Sequence, residues 1–145
     1  MEQQRPGNRL RGPRAVIVVA AGLGIIAGLT LRTADHPGLL PPGTPDPELD
    51  LGLRLVCAAA VLAAGTLAYL TFARKRDEPL AMACLPGLVV TGVVLRHLVV
   101  TLPQVARFEP AARIAPGAGS WVLLASGVVM TATGLAAAFA VRRAG

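Results

Sequence analysis

Long apolar runs, bounded by charged residues, proline or glycine, alternate with polar segments along the chain. There are four such runs, each close to the roughly 20 residues that a helix needs to cross a hydrocarbon core about 30 Å thick. The pattern predicts an all-α fold: a polytopic membrane protein, a bundle of four transmembrane helices in a single membrane domain, 1–145. The predicted helices cover about 15–31, 51–73, 80–102 and 118–141, with a basic cytoplasmic leader (1–14) and outer loops 32–50 and 103–117.

The composition supports the membrane assignment and excludes several other classes of protein. Hydrophobic residues make up 54% of the chain, whereas 15% of residues are charged and 3% are aromatic. A soluble domain carries about 25% charged residues. The chain is too apolar for a disordered segment or a collagen-like fibre, and its two cysteines cannot staple a small secreted module.

The charges are distributed unequally between the two sides of the predicted bundle. With both termini inside, the inner segments carry the whole formal net charge of +6, because acidic and basic residues balance in the outer segments. Arg and Lys are enriched on the cytoplasmic side, so the pattern predicts an N-in/C-in orientation. The basic residues are not interleaved with aromatic ones, which argues against a nucleic-acid partner. The inner basic residues are Arg5, Arg9, Arg11, Arg14, Arg74, Lys75, Arg76, Arg142 and Arg143.

Proline and capping residues predict where the helices begin and bend. Asp46, followed by Pro47, is expected to cap the second helix, and Ser120 the fourth. Pro86 removes a hydrogen bond to the Met82 carbonyl and is expected to kink the third helix. A cleaved signal peptide is the alternative for the first run, but no A-x-A-like site follows it, which favours an uncleaved helix.

Small residues recur at helical spacing in the first and last runs. In a bilayer, helices associate through close packing at small residues rather than through burial of apolar side chains. Two roles fit these positions: seams inside one bundle, or a stripe that docks onto a partner subunit. The candidate helix-packing or partner-contact residues are Ala20, Gly24 and Gly28 in the first helix, and Gly127, Thr131 and Gly134 in the fourth.

Arg96 and His97 interrupt the third run, and an ionisable group within a span is a functional candidate. Arg96 lies about 24 Å beyond Leu80, some 6 Å short of the outer edge of the core. One interpretation is that Arg96 snorkels to the interface as an anchor. The other is a ligand or partner contact near the outer face, paired with Asp50 or Glu109. His97 is a candidate metal ligand or proton relay, with a purely structural role as the alternative.

The sequence lacks the residue sets that catalysis and tight cofactor binding require. No carboxylate lies inside a predicted span, which disfavours proton-coupled or cation-coupled transport. There is no Walker loop, no H-E-x-x-H motif and no C-x-x-C pair. Cys57 and Cys84 differ in depth by about 18 Å, too far for a disulfide. We therefore expect no catalytic residue, no metal site and no cofactor.

Several features recur in the order seen in known membrane proteins. A basic N-terminus, a proline-rich outer loop and a basic inner turn precede a last helix that opens Gly119-Ser120-Trp121. This layout resembles small uncharacterised four-span membrane proteins of high-GC bacteria, including the tryptophan-associated transmembrane type. The segment Pro42 to Pro47, followed by the second helix, is also similar to the start of copper-resistance D-type membrane proteins. The resemblance implies a four-span membrane fold and supplies no site residue.

These features predict a non-enzymatic integral membrane protein of the bacterial cytoplasmic (inner) membrane. We expect an accessory, assembly or stabilising subunit of a larger membrane complex, since small-residue seams are present and catalytic groups are missing. Its expected partners are the lipid bilayer and other membrane protein subunits. The alternative is a small transport or metal-handling component of the copper type, using Arg96 and His97 near the outer face.

Overall fold

The computed structural model describes residues 11–145, so most of the predicted leader lies outside the described residues. Within that range, four helices are long and apolar enough to cross a membrane, and the protein is an all-α, multi-pass membrane protein as predicted. The helices are α1 (Arg11–Thr30), α2 (Leu51–Arg74), α3 (Glu78–Ala81), α4 (Cys84–Arg96), α5 (Leu102–Phe108) and α6 (Ala118–Ala144). A π-helical segment, His97–Thr101, joins α4 to α5, so that α3 to α5 form one interrupted crossing.

The four crossings form a ring in which each packs between two antiparallel neighbours. α6 contacts α1 on one side and α4 on the other, and α2 closes the ring between α1 and α4. Buried residues recur every three or four positions on α2, which places them on one face. They are Cys57, Ala60, Ala64, Ala68 and Thr71. Only 28% of the α2 span is buried within the chain, so most of its surface faces outwards.

The seam between α1 and α6 contains two of the three packing candidates of the first helix. A Cβ atom at Gly28 would lie 2.7 Å from Cγ of Leu123, and one at Gly24 would overlap the Ser126 hydroxyl. The two helices therefore approach each other closely because these positions have no side chain. The structure places the third candidate, Ala20, on the exposed side of α1, away from this seam.

The seam between α4 and α6 contains all three packing candidates of the last helix. Here a glycine of each helix lies against a threonine of the other helix. Each threonine hydroxyl donates a hydrogen bond of 2.8 Å to a carbonyl of its own helix. The pairs are Gly127 with Thr91 and Gly87 with Thr131. Farther along the seam, Gly134 lies directly against the backbone of Cys84, where α4 begins.

The third crossing differs from the continuous helix predicted over 80–102. Pro86 has no N–H to donate to the Met82 carbonyl, as predicted, and that carbonyl instead accepts from Leu85 at 3.0 Å. The chain forms a turn at Met82 and Ala83, so the break lies before the proline rather than as a kink at it. Pro86 itself lies in the first turn of α4, where a missing N–H is tolerated.

The C-terminal end of this crossing also extends farther than predicted. The Leu102 N–H donates to the His97 carbonyl five residues earlier, the bonding pattern of a π-helix. This wider turn immediately precedes Pro103, which has no N–H and would clash inside a regular helix. The helix therefore continues past Pro103 to Phe108, and the predicted outer loop 103–117 is correspondingly shorter.

Two segments between the crossings meet at one end of the bundle, the loop end, which comprises residues 31–50 and 109–117. Two short strands, β1 (Ala34–Asp35) and β2 (Ala115–Pro116), pair antiparallel there. Gly117 donates its N–H to the Thr33 carbonyl at 3.0 Å. A Cβ atom at Gly117 would overlap the Arg32 carbonyl, so glycine permits this close approach.

Both predicted caps prove wrong. Asp50, not Asp46, caps α2, because its carboxylate accepts the Gly52 N–H at 2.9 Å. Asp46 instead accepts the Glu48 N–H at 2.9 Å, which forms a turn before the helix. Ser120 lies inside α6, where its hydroxyl donates to the Thr33 carbonyl rather than capping its own helix.

Every aromatic side chain of the chain is exposed, and all lie near the ends of the crossings. Phe108 and Trp121 lie at the loop end, while Tyr69, Phe72 and Phe139 lie at the opposite end. Trp121 and Phe139 are about 27 Å apart along α6, close to the thickness of a hydrocarbon core. This arrangement matches the aromatic belts of membrane proteins. The end opposite the loops is the basic end, which carries Arg14, Arg74, Lys75, Arg76, Arg142 and Arg143.

Candidate functional site

A half-buried carboxylate, Glu48, forms the centre of a polar cluster at the loop end. Its Oε2 accepts the Thr33 backbone N–H at 2.9 Å and the Thr33 hydroxyl at 2.5 Å. The same oxygen accepts from Nη2 of Arg54 at 3.2 Å, forming an ion pair. One oxygen thus connects the segment after α1, the segment before α2 and the first turn of α2.

Arg54 extends the cluster to the end of α1. Its Nε donates to the Leu49 carbonyl at 2.9 Å, and its Nη1 donates to the Leu29 carbonyl at 3.3 Å. The Leu29 carbonyl belongs to the last turn of α1, where backbone carbonyls have no partner within the helix. A positive charge at this position also interacts favourably with the negative end of the helix dipole.

Thr33 connects the cluster to α6. Its hydroxyl accepts the Leu49 N–H at 2.8 Å, and its carbonyl accepts the Ser120 hydroxyl at 2.6 Å. Thr33 and Ser120 are both fully buried, so these bonds form away from water and leave few polar groups unpaired. The cluster therefore holds the segment 31–50 against α1, α2 and α6.

His97 adjoins this cluster and is one of the two predicted outer-face residues. Its side chain is 2% exposed, and Nε2 has no hydrogen-bond partner within the described range 11–145. The Thr33 backbone and the charged side chains of Glu48 and Arg54 lie near the imidazole ring of His97. His97 is also the first residue of the π-helical segment, a feature often found at functional sites.

Arg96, the other predicted outer-face residue, points away from the cluster. Its side chain is exposed, and among the described residues it forms no ion pair with Asp50 or Glu109, the two partners considered for it. The structure thus places Arg96 and His97 on different faces of the same helix, so they do not form one site.

The pKa of Glu48 is lowered by its partners. Partial burial acts in the opposite direction, because it disfavours the charged carboxylate. The hydrogen bonds from the Thr33 hydroxyl and backbone N–H, together with the Arg54 charge, outweigh this effect. The folded protein therefore holds the carboxylate ionised to a lower pH than the unfolded chain does.

We expect acid to weaken the loop end through Glu48. Because the folded pKa lies below the ordinary value of 4.5, the stabilisation is complete above pH 4.5 and is lost as the pH falls through the folded pKa. Glu48→Gln should lower the free energy of unfolding by about 1–2 kcal/mol at pH 7. The measurement is the melting temperature of both proteins in detergent from pH 7 to pH 3.

The difference between wild type and the Gln variant should shrink as the pH falls below 4.5. Glu109→Gln, at the same end of the bundle, is the matched control and should melt like wild type throughout. A difference that stays constant with pH would contradict the role of an ionised Glu48.

Sequence reasoning missed the core of this cluster. Neither Glu48 nor Arg54 is among the site residues that the sequence predicts. One signal was available: Arg54 is a charge within the first turn of an otherwise apolar helix, and such a charge needs a partner. Thr33 carried no comparable signal, because its partners are distant in sequence.

No metal centre or close relative identifies the site. In the part of the chain that the structure describes, no three His, Cys, Asp or Glu side chains lie close enough to hold a metal ion. Cys57 is buried, Cys84 is half-buried, and both are free thiols. No family model, curated protein or solved structure matches the chain.

Proposed function

We propose that the chain is a non-enzymatic accessory or assembly subunit of a larger membrane complex, whose partner helix packs against the groove between α2 and α4. The groove has a volume of about 390 Å³. Alanines line it on α2, and it is open to the side of the bundle. Its lining residues are Val56, Ala59, Ala60 and Ala63 on α2, and Leu85, Pro86 and Val89 on α4.

The exposed alanines of the groove carry the proposal. Ala60 and Ala64 are buried and pack within the bundle, whereas Ala59 and Ala63 are exposed although they are equally small. Small residues allow a neighbouring helix backbone to approach closely, which stabilises helix contacts in a bilayer. Exposed positions in this groove therefore favour contact with a helix of another subunit.

The same proposal includes an N-in/C-in orientation in a bacterial inner membrane. The basic end carries Arg and Lys on α1, on α6 and on the turn between α2 and α3, whereas the loop end, counted together with the adjoining helix ends, carries five basic and five acidic residues. Short segments rich in Arg and Lys stay on the cytoplasmic side, which supports placing the basic end inside.

Filling the groove should remove the partner without unfolding the chain. Ala63→Leu adds an apolar side chain at an exposed position, so the bundle itself has room for it. The added volume should displace a helix seated in the groove and reduce co-purification about tenfold. The measurement is quantitative mass spectrometry of proteins that co-purify with the tagged chain from native membranes in mild detergent.

Ala136→Leu is the matched control, because Ala136 is exposed on α6 and does not line the groove. It should co-purify the partner at the wild-type ratio. Equal recovery of a stoichiometric partner with Ala63→Leu and wild type would contradict docking at the groove.

A further inference from the structure

The buried imidazole of His97 lies where the third crossing meets the polar cluster. Its Nε2 atom has no hydrogen-bond partner within residues 11–145. The ring lies near the backbone of Thr33, the residue that connects segment 31–50 to α6. Histidine is the side chain whose charge changes near neutral pH. A group that can gain a proton therefore lies beside the segment that closes the loop end.

The Thr33 carbonyl has no lone pair left for a charged imidazole. It already accepts the Gly117 N–H at 3.0 Å and the Ser120 hydroxyl at 2.6 Å. A carbonyl oxygen has two lone pairs, and a protonated imidazole carries two N–H donors instead of one. The added donor therefore finds no free acceptor at Thr33 while the loop end is closed.

Two charged side chains face the ring, and they neutralise each other. Glu48, from segment 31–50, and Arg54, from α2, form an ion pair at 3.2 Å. The other carboxylates of the segment are exposed: Asp35, Asp46 and Asp50. The Glu48 carboxylate attracts a positive ring, whereas the Arg54 guanidinium repels it. A proton on His97 would therefore add a net positive charge to a cluster that is neutral without it.

The helices around His97 bring no compensating charge. Neither α6 between Ala118 and Val141 nor α1 between Ala15 and Thr30 contains an ionisable side chain. On the crossing of His97 itself, Arg96 and Arg107 are both positive and exposed. A buried charge without a partner is costly, so a protonated ring needs access to water.

Segment 31–50 is the part of the structure that can give the ring this access. Hydrogen bonds of the polar cluster hold the segment, whereas close backbone contacts at glycine hold the crossings together. Regions held by few apolar contacts open locally before the rest of a fold does. Displacing the segment carries Thr33 away from His97 and admits water to the ring, while the two seams of α6 stay packed.

We propose that His97 is a pH-sensitive latch for segment 31–50: the neutral ring lets the segment close on the bundle, and protonation releases it while the four crossings stay packed. A histidine in water has a pKa of about 6.5, so the release belongs to mildly acidic conditions. Glu48 stays ionised in that range, because its folded pKa lies below 4.5. The inference does not depend on the proposed partner subunit or orientation.

The test is hydrogen exchange of the full-length chain in detergent at pH 7 and pH 5, with each rate divided by that of an unprotected amide at the same pH. Peptides that contain Thr33 and Leu49 report on the segment, since both N–H groups bond within the cluster. Their corrected exchange should become up to about 25-fold faster at pH 5, the increase for a histidine that takes up its proton only in the open state. Peptides around Gly127, in the seam between α4 and α6, should show no such increase.

His97→Gln removes the titrating group and should abolish the increase. His36→Gln removes a histidine of segment 31–50 itself, so it is the matched control and should respond like wild type. His97→Phe repeats the test with an apolar ring, and the melting temperature at pH 7 verifies that each variant is folded.

Three results would overturn the proposal. Equal corrected exchange of wild type at the two pH values would show that the segment does not respond to acid. An increase that persists in both His97 variants would show that another group titrates. An equal increase in the peptides around Gly127 would show that acid loosens the whole bundle rather than one segment.

Discussion

Gly134→Leu is expected to prevent the bundle from folding. A Cβ atom at this position would overlap the Cys84 backbone nitrogen and lie 2.8 Å from its Cα and 2.9 Å from the Ala83 carbonyl carbon. These are backbone atoms at the start of α4, so no side-chain rotation can relieve the contact. Overpacking in a core lowers the free energy of unfolding by about 1–3 kcal/mol. Forcing two helices apart should lower it by at least about 3 kcal/mol.

The measurement is the yield of monodisperse protein in detergent together with its melting temperature. Gly92→Leu is the matched control: Gly92 is exposed on α4, and a Cβ atom there meets nothing within 4 Å. The control should give wild-type yield and melting temperature. If Gly134→Leu also behaved like wild type, the close contact between α4 and α6 would be wrong.

The second large effect is expected from Arg54→Leu. The substitution removes all three hydrogen bonds of the guanidinium, to Glu48, Leu49 and Leu29. The carboxylate then loses its counter-charge, and two carbonyls lose a donor. Removing one partner of a buried ion pair costs about 3–5 kcal/mol, and partial exposure of this pair reduces the expected loss to about 2–3 kcal/mol.

Arg54→Leu should loosen segment 31–50 in the folded protein as well as lower the overall free energy of unfolding. Hydrogen exchange followed by mass spectrometry should show faster exchange in peptides that contain Thr33 and Leu49, whose N–H groups bond within the cluster. Arg32→Leu, an exposed arginine at the same end, should leave exchange unchanged. Unchanged exchange in Arg54→Leu would show that the cluster does not hold segment 31–50 in place.

The positions and lengths of the apolar runs were sufficient to predict the regular crossings. The first, second and last helices begin and end within a few residues of the predicted bounds, because charged residues mark the limits of each apolar run. Glycine spacing also pointed to positions that the structure places in seams: Gly24 and Gly28 face α6, and Gly127 faces α4. A local pattern suffices here because a close helix contact requires a small residue at the point of approach.

The third crossing could not be predicted in the same detail. No change of hydropathy marks the turn at Met82, and Arg96 and His97, which interrupt the run, do not by themselves predict a π-helical segment. Pro86 and Pro103 predict an irregular helix. In each case the regular helix is interrupted at the residues before the proline, where backbone hydrogen bonds can rearrange. Where that rearrangement lies depends on packing against α6.

The polar cluster lies beyond sequence reasoning for a different reason. Thr33, Glu48 and Ser120 lie far apart in the sequence, and their hydrogen bonds join positions 15 and 87 residues apart. No spacing rule applies over such distances. His97 was identifiable because it interrupts an apolar run, but its burial beside Arg54 depends on how the crossings associate.

The mass of the particle extracted from native membranes tests the central claim most directly. The chain alone has a mass of 14.9 kDa. Native mass spectrometry after gentle extraction should find it in a particle that also contains at least one different protein in fixed stoichiometry. A particle of 14.9 kDa, or of a whole multiple of that mass, would contradict the proposed role as a subunit of a larger membrane complex.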